Sequence, residues 1–405
     1  MVKKVLTQSF RYSAVLVASK VFSIVFFAIA ARLLSKDNFG MFSFFVTLSQ
    51  LLTTLTDLGL RQWYLKRMAN KPSKDLLSRA LEMRLMIGLL TAGVLFLING
   101  WWPKLPMLIL WCLMISLVLE VFFTVADAHY LHEQRSTRVG WKVFWRNLLM
   151  IALWVPLVLL VNNEVTYYSS YVLYVIVTSA VVIFYFPWKL VNRFSMTHLW
   201  EMGKIGRASS IYGVSDALSM AYGKVDGLIV EKMLNVAAFG TFVGLFRVLD
   251  GLNLIPQALY HNLFRITAKK DLFSKQQLTQ ITLIMAMTGI VMGGLLFLGA
   301  PLVVWILLGE SYIADGVGLL RVFAVIVGLF FINAPLNTVI QSSNYLKKYL
   351  PIFGVVIALN IVLTIMFIRV WGMMGAAYAM AISQTVLIAA NWIVIRKAYK
   401  KSYFV

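Results

Sequence analysis

Charged residues are scarce in this chain of 405 residues: Asp, Glu, Lys and Arg together make up 13%, about half of what a soluble domain carries. Acids are the scarcest, 16 against 37 Lys and Arg. There is a single cysteine, Cys112, so no disulfide forms within one chain, and its apolar surroundings read as packing. The four histidines, His129, His132, His198 and His261, fall at or near the ends of apolar segments, and no His, Cys and carboxylate constellation points to a catalytic metal. A Walker A glycine loop is missing, which excludes ATP hydrolysis by this chain. Alternating ten-residue segments are also missing, which excludes a membrane β-barrel.

What is present is apolar length. Hydrophobic residues are 60% of the chain and the mean hydropathy is +0.82. About twelve segments of roughly 20 residues are long enough to cross a bilayer. The expected spans are 12–34, 39–60, 80–98, 105–127, 143–161, 167–187, 208–230, 237–260, 278–308, 315–342, 349–369 and 373–395. The first resembles a signal peptide in position. Its apolar run is too long and no small-residue cleavage site follows, so it reads as a retained span.

The basic residues alternate along these spans. Lys3, Lys4 and Arg11 precede the first; Arg61 to Arg79, Arg135 to Arg146, Lys189 to Arg207, Arg265 to Lys275, and Lys347 with Lys348 fill every second connection; Arg396 to Lys401 follow the last. The other connections hold only Lys36, Lys104, Lys232 and Arg369. Short basic loops stay cytoplasmic, so both termini are expected inside. The formal charge of +21 is then mostly topological bias with affinity for anionic lipid head groups, not a nucleic-acid footprint.

The longest non-membrane piece, around 188–206, divides the spans six and six. The expected organisation is an N-terminal six-helix bundle at 1–190, a cytoplasmic linker at 191–206 and a C-terminal six-helix bundle at 207–405. An internal echo agrees: Phe39-Gly40-Met41-Phe42 opens the second span and Phe239-Gly240-Thr241-Phe242 the eighth, six spans later. Repeats six spans apart share one membrane orientation.

Polar residues concentrate in a few spans. Ser43, Thr47, Gln50, Thr54, Asp57 and Arg61 recur every three or four residues, one helical face. Single Thr residues often bond helices together, but a stripe of full length points to an aqueous lumen. Asp57 and Arg61 are one turn apart and are placed to pair. Lys20 stands about two turns into the first span, where it either faces the lumen or snorkels. The seventh span carries Arg207, Asp216, Lys224 and Asp226, with Gly223 and Gly227 as a close-approach motif. An intramembrane Asp is either a proton or cation carrier or the counter-ion of a base; both readings stand for Asp216, Asp226 and Asp250. Arg247, Asp250, Asn253 and Gln257 mark the eighth span, Asn333, Asn337 and Gln341 the tenth, and Gln384 and Asn391 the twelfth. Pro156, Pro256 and Pro335 are placed to kink their spans. A polar, net cationic cavity of this kind suits an anionic ligand, because Arg and Lys are the phosphate-binding side chains.

Three stretches resemble a known family. Ala31-Arg32-Leu33-Leu34-Ser35-Lys36-Asp37-Asn38-Phe39-Gly40 followed by Asp57-Leu58-Gly59-Leu60 is one. Lys224-Val225-Asp226-Gly227-Leu228-Ile229-Val230, with Phe239-Gly240 and Pro256-Gln257-Ala258-Leu259, is the second. Gly372-Met373-Met374-Gly375-Ala376-Ala377-Tyr378-Ala379 with Ser383-Gln384 is the third. Their order over nearly the whole chain resembles polysaccharide repeat-unit flippases of the Wzx type, in the multidrug/oligosaccharidyl-lipid/polysaccharide (MOP) exporter superfamily.

That resemblance implies an all-α polytopic membrane protein of two six-helix bundles in the bacterial inner membrane. It implies a flippase that moves undecaprenyl-diphosphate-linked oligosaccharide units for O-antigen or capsule by alternating access, and no enzyme. A glycan polymerase and a chain-length regulator are candidate partners. The expected substrate-binding residues are Lys20, Lys224 and Arg247 for the diphosphate or acidic sugars, and Gln50, Thr54 and Asn253 for sugar hydroxyls. Asp216, Asp226 and Asp250, with Asp57 and Arg61, are the candidates for gating or for coupling to a proton or sodium gradient. No cofactor is expected. The alternatives are a multidrug exporter of the same superfamily, disfavoured by the basic cavity; a membrane glycan polymerase or ligase, disfavoured by the short outer loops; and a non-transporting scaffold of glycan assembly.

Overall fold

A computed structural model describes residues 20–70, 76–100, 105–133, 135–160, 166–188, 199–253, 255–256, 275–342 and 346–400. All regular structure among them is helical, as the apolar run lengths predict. Nine of the described helices are long and apolar enough to cross a membrane. The chain separates into two units: Met1–Phe26 with Met41–Ala221, and Phe27–Gly40 with Tyr222–Val405. Of the expected linker, 191–198 lies outside the described residues and 199–206 is helical.

The first unit is built from α1 (20–33, its first part), α2 (Lys36–Asp57), α3 (Leu60–Asn70), α4 (Leu76–Asn99), α5 (Met107–His132), α6 (Ser136–Leu160), α7 (Tyr167–Tyr185) and the first part of α8 (Leu199–Met233). Helix α5 is its hub, packed against α3, α4, α6 and α7. Val121, Val125 and Ala126 of α5 form a buried apolar cluster with Tyr64, Leu77, Leu81 and Phe186. The expected second span, 39–60, is shorter at its C-terminal end because Leu58 (φ 47°) and Gly59 (φ 73°) take left-handed backbone conformations that stop a helix. Gly59 is required there twice over: a Cβ would also run into the α8 backbone at Ser209 and Gly213. Arg61 and Arg67 therefore ride on the separate helix α3.

The second unit holds the start of α2, the rest of α8, then α9 (Val236–Leu252), α10 (Lys275–Leu298), α11 (Ala300–Leu307), a 3₁₀ turn (Glu310–Tyr312), α12 (Ile313–Ser342), α13 (Leu346–Trp371) and α14 (Met373–Lys400). Helix α12 is the hub, packed on α9, α10, α11 and α14. Asn235 caps α9: its side-chain oxygen accepts the Ala238 amide at 2.8 Å, a donor the first helical turn leaves unsatisfied.

Three expected boundaries differ. The eighth span was expected over 237–260, but α9 ends at Leu252, where the Asn253 amide closes onto Leu249 O; Gln257 lies outside the described residues. The ninth, 278–308, is two helices broken at Gly299, with Pro301 in the first turn of α11, a position where its missing N–H is harmless. Helix α8, with six charged residues between Arg207 and Lys232, extends the seventh span at both ends. Its Gly223 meets nothing, whereas Gly227 faces Phe239 and Val243 at 3.3 Å, so only one of the two glycines serves close packing on α9.

Candidate functional site

Each unit encloses a polar cluster. In the first, the Arg84 guanidinium of α4, 1% exposed, is ion-paired with Asp57 at the end of α2. The Arg61 backbone amide reaches the other Asp57 oxygen at 3.4 Å. The expected Asp57–Arg61 side-chain pairing is thus replaced by Arg84, which the sequence reading overlooked.

Glu120 and Asp127 lie seven residues apart on α5, and Lys142 and Arg146 four apart on α6. Lys142 bonds both Asp127 oxygens, at 2.7 and 2.9 Å, and Tyr185 donates its hydroxyl to Asp127 at 2.7 Å. Arg146 meets Glu120 at 3.3 Å. Lys142 and Arg146 were expected in a basic cytoplasmic connection; both lie on a helix, Lys142 buried and Arg146 half-buried, each paired with an acid. The overlooked signal was the matching helical spacing of acids and bases on successive spans. Two charges can share a low-dielectric interior only when paired and hydrogen-bonded.

The α2 stripe divides along its length. Ser43 and Thr47 are fully packed, while Gln50 and Thr54 are half-buried and Thr54 donates to Gln50 O at 3.0 Å. Asp216 is half-buried and Lys20 is exposed. Lys20, Gln50, Thr54, Asp57, Arg61 and Asp216 belong to the first unit.

Lys224, Asp226, Arg247, Asp250 and Asn253 belong to the second. Helix α8 separates its two central charges onto different faces. Lys224 faces α9, where its ammonium lies 3.9 Å from Asp250 and 5.8 Å from the Phe246 ring centroid. One turn before Asp250 on α9, the Arg247 guanidinium sits 3.2 Å over the ring of Phe27, an attraction between cation and aromatic quadrupole. Asn253 ends α9 and is half-buried.

Asp226 points the other way. It is 3% exposed, accepts the Thr364 hydroxyl at 2.7 Å and the Asn360 amide at 3.5 Å. Among the described residues no Lys or Arg ion-pairs with it. Asn360 and Thr364, one turn apart on α13, were not singled out in the sequence. One turn before Asp226 on α8, Tyr222 donates to Gln384 at 2.7 Å; elsewhere in the unit Asn391 of α14 donates to Asn333 of α12 at 2.6 Å. A carboxylate among neutral oxygen and amide groups is suited to gaining a proton or a hard cation, whose preferred ligands are oxygens.

Residues 5–266 match the sequence model of the family described as polysaccharide biosynthesis protein. The chain belongs to this family. The match runs from α1 past α9 and so takes in Lys224, Asp226, Arg247 and Asp250. No curated relative matches. The fold of this family member is that of MOP-superfamily transporters. It superposes on an inward-facing multidrug-resistance MATE transporter of that superfamily with TM-score 0.72, 13% identity and 95% of each chain covered. The lipid II flippase MurJ, in an inward closed conformation, gives TM-score 0.74 at 14% identity, over 95% of this chain and 87% of that one. A Vibrio cholerae MATE transporter, VcmN, gives 0.67 at 12% identity over 100% and 99%.

Proposed function

We propose that this chain is a flippase for lipid-linked oligosaccharides, moving undecaprenyl-diphosphate-linked repeat units of O-antigen or capsule from the cytoplasmic to the periplasmic leaflet of a bacterial inner membrane. The observation that carries the reading is membership in the polysaccharide biosynthesis family on a fold shared with a lipid II flippase and with multidrug transporters. In this reading twelve spans form two six-helix bundles with both termini inside, and the substrate site is exposed to each leaflet in turn.

Lys224 and Arg247 attract the diphosphate or acidic sugars, with Lys20 nearer the cytoplasmic end. Gln50, Thr54 and Asn253 bond sugar hydroxyls, while the polyprenyl tail stays in lipid. Lys224 is held by Asp250, and an incoming phosphate competes with that carboxylate for the ammonium. Asp226 is the coupling group: it takes up a proton or sodium ion from the gradient, its partners among the described residues being the neutral donors Thr364 and Asn360. A polymerase and a chain-length regulator receive the product.

The test is reconstitution. The purified protein is placed in proteoliposomes with radiolabelled undecaprenyl-diphosphate oligosaccharide, and access of the glycan to an external glycosidase is followed with and without a proton or sodium gradient. Protein-dependent movement is expected. Movement of cationic drugs in its place would support the multidrug exporter, and no movement of either would support a scaffold.

A further inference from the structure

The second unit holds a pocket of about 420 Å³, within the size range of small-molecule sites, that none of the residues assigned above lines. It is walled by Arg32 at the end of α1 and Lys36 at the start of α2, beside the α1–α2 connection, and by Trp305 of α11 with Glu310, Ser311 and Tyr312 of the α11–α12 connection. The charge alternation assigns both connections to the outer face, opposite the basic loops.

The chemistry of the wall is mixed. Trp305 is 50% exposed, and Arg32 lies 5.7 Å from its ring centroid while donating to its backbone oxygen at 2.6 Å. Lys36 is engaged by Asp315 at 3.6 Å and by the Tyr312 ring at 4.8 Å. Lys36 is thus partly neutralised by Asp315, Arg32 is engaged by a carbonyl and a ring, and Glu310 adds a carboxylate. A phosphate would meet that carboxylate. A sugar ring uses every part: its apolar face stacks on the half-exposed indole, and its hydroxyls, donor and acceptor at once, satisfy the spare Arg32 donors, Glu310 and Ser311. Gly309 (φ 98°) turns the chain sharply here, in a conformation glycine adopts without strain, and so brings Glu310 and Ser311 round beside Trp305.

We propose that this pocket is a saccharide-binding site on the outer face, which holds a sugar ring of the translocated glycan on the exit side. The inference rests on the flippase reading and names a second glycan contact, remote in sequence from Lys224 and Arg247.

The experiment uses the full-length protein in detergent and the oligosaccharide released by mild acid from the lipid-linked glycan of the organism that encodes the chain. Binding is read by saturation-transfer NMR, with inorganic phosphate and phosphatidylglycerol micelles as competitors. Wild-type protein is expected to bind, Trp305→Ala to weaken binding about tenfold, as loss of an aromatic platform does, and Glu310→Gln to weaken it less. Neither competitor is expected to displace the sugar. Both residues are exposed, and an unchanged melting curve checks folding of each variant. Binding unaffected by Trp305→Ala, no binding by wild type, or displacement by either phosphate source overturns the proposal. Translocation in proteoliposomes, run on the same preparations, keeps the two readings apart. A wild type that translocates but shows no pocket-dependent binding loses the pocket and keeps the flippase; a wild type that does not translocate loses the flippase, and the binding result alone then decides the pocket.

Discussion

Gly40 and Gly240, the glycines of the two echoed Phe-Gly motifs, pack backbone against backbone: a Cβ on Gly240 would stand 2.8 Å from the Gly40 Cα. The repeat in the sequence is therefore also a contact in the fold, where α2 and α9 cross with no side chain between them. Phe39 and Phe239 beside them are fully buried.

Substituting Gly40 by Ala is expected to destabilise the protein by about 1–3 kcal/mol, the usual effect of forcing atoms into a packed contact. Its Cβ would meet the Val236 carbonyl as well as side-chain atoms. Gly223→Ala, where nothing lies within 4 Å, is expected to be neutral or slightly stabilising. Thermal unfolding of the two variants in the same detergent makes the comparison; equal melting temperatures would contradict the contact.

Removing one side of the Asp57–Arg84 pair is expected to destabilise by about 3–5 kcal/mol, because the survivor stays buried and uncompensated. Asp57→Ala should therefore be worse than the double variant Asp57→Ala with Arg84→Met. A double-mutant cycle on melting temperature reads the coupling, and strict additivity would show that the two groups do not act together.

Asp226→Asn keeps the shape of the side chain and its approach to Thr364 and Asn360 but removes the titratable charge. Translocation is expected to fall at least about tenfold and to lose its response to the ion gradient, since one intramembrane charge is what a gradient acts on. Flux measured with and without the gradient gives the answer. A variant that still accelerates when a gradient is imposed would move the coupling role to Asp216 or Asp250.

Lys224→Ala and Arg247→Ala are each expected to lower translocation several-fold with normal membrane insertion, and Asp250→Asn to lower it less, because it frees the ammonium of Lys224. Glycan display in cells carrying each variant, normalised to protein in the membrane fraction, is the measurement. Full display in both basic variants would remove the cationic binding site from the mechanism.

The helical architecture was legible because run length is a strong signal for a span, and the ends of most spans fell within a few residues of α4 to α7 and α12 to α14. The breaks were less legible. The Leu58–Gly59 and Gly299–Pro301 interruptions depend on backbone angles and neighbouring helices, and hydropathy passes smoothly through the second. For the site, α8 showed its charges openly, and their separation onto two faces followed from 100° per residue. The partners did not show. Arg84, Glu120, Asp127, Lys142 and Arg146 stand in the sequence as isolated charges in or beside apolar runs; only the assembled helices reveal that acids and bases stand opposite each other. Asn360 and Thr364 are uncharged and carry no signal until Asp226 is seen between them.

The burial of Arg84 against Asp57 also has a consequence for synthesis. Asp57 leaves the ribosome before Arg84, at the end of a preceding helix. A nascent α4 entering the bilayer alone would carry an unmatched guanidinium, at an insertion penalty of at most about 2.5–3.5 kcal/mol, the value for a helix centre. With α2 already waiting beside the translocon the penalty is offset by a partner, so the order of the genes' codons is itself part of how this chain is put into the membrane.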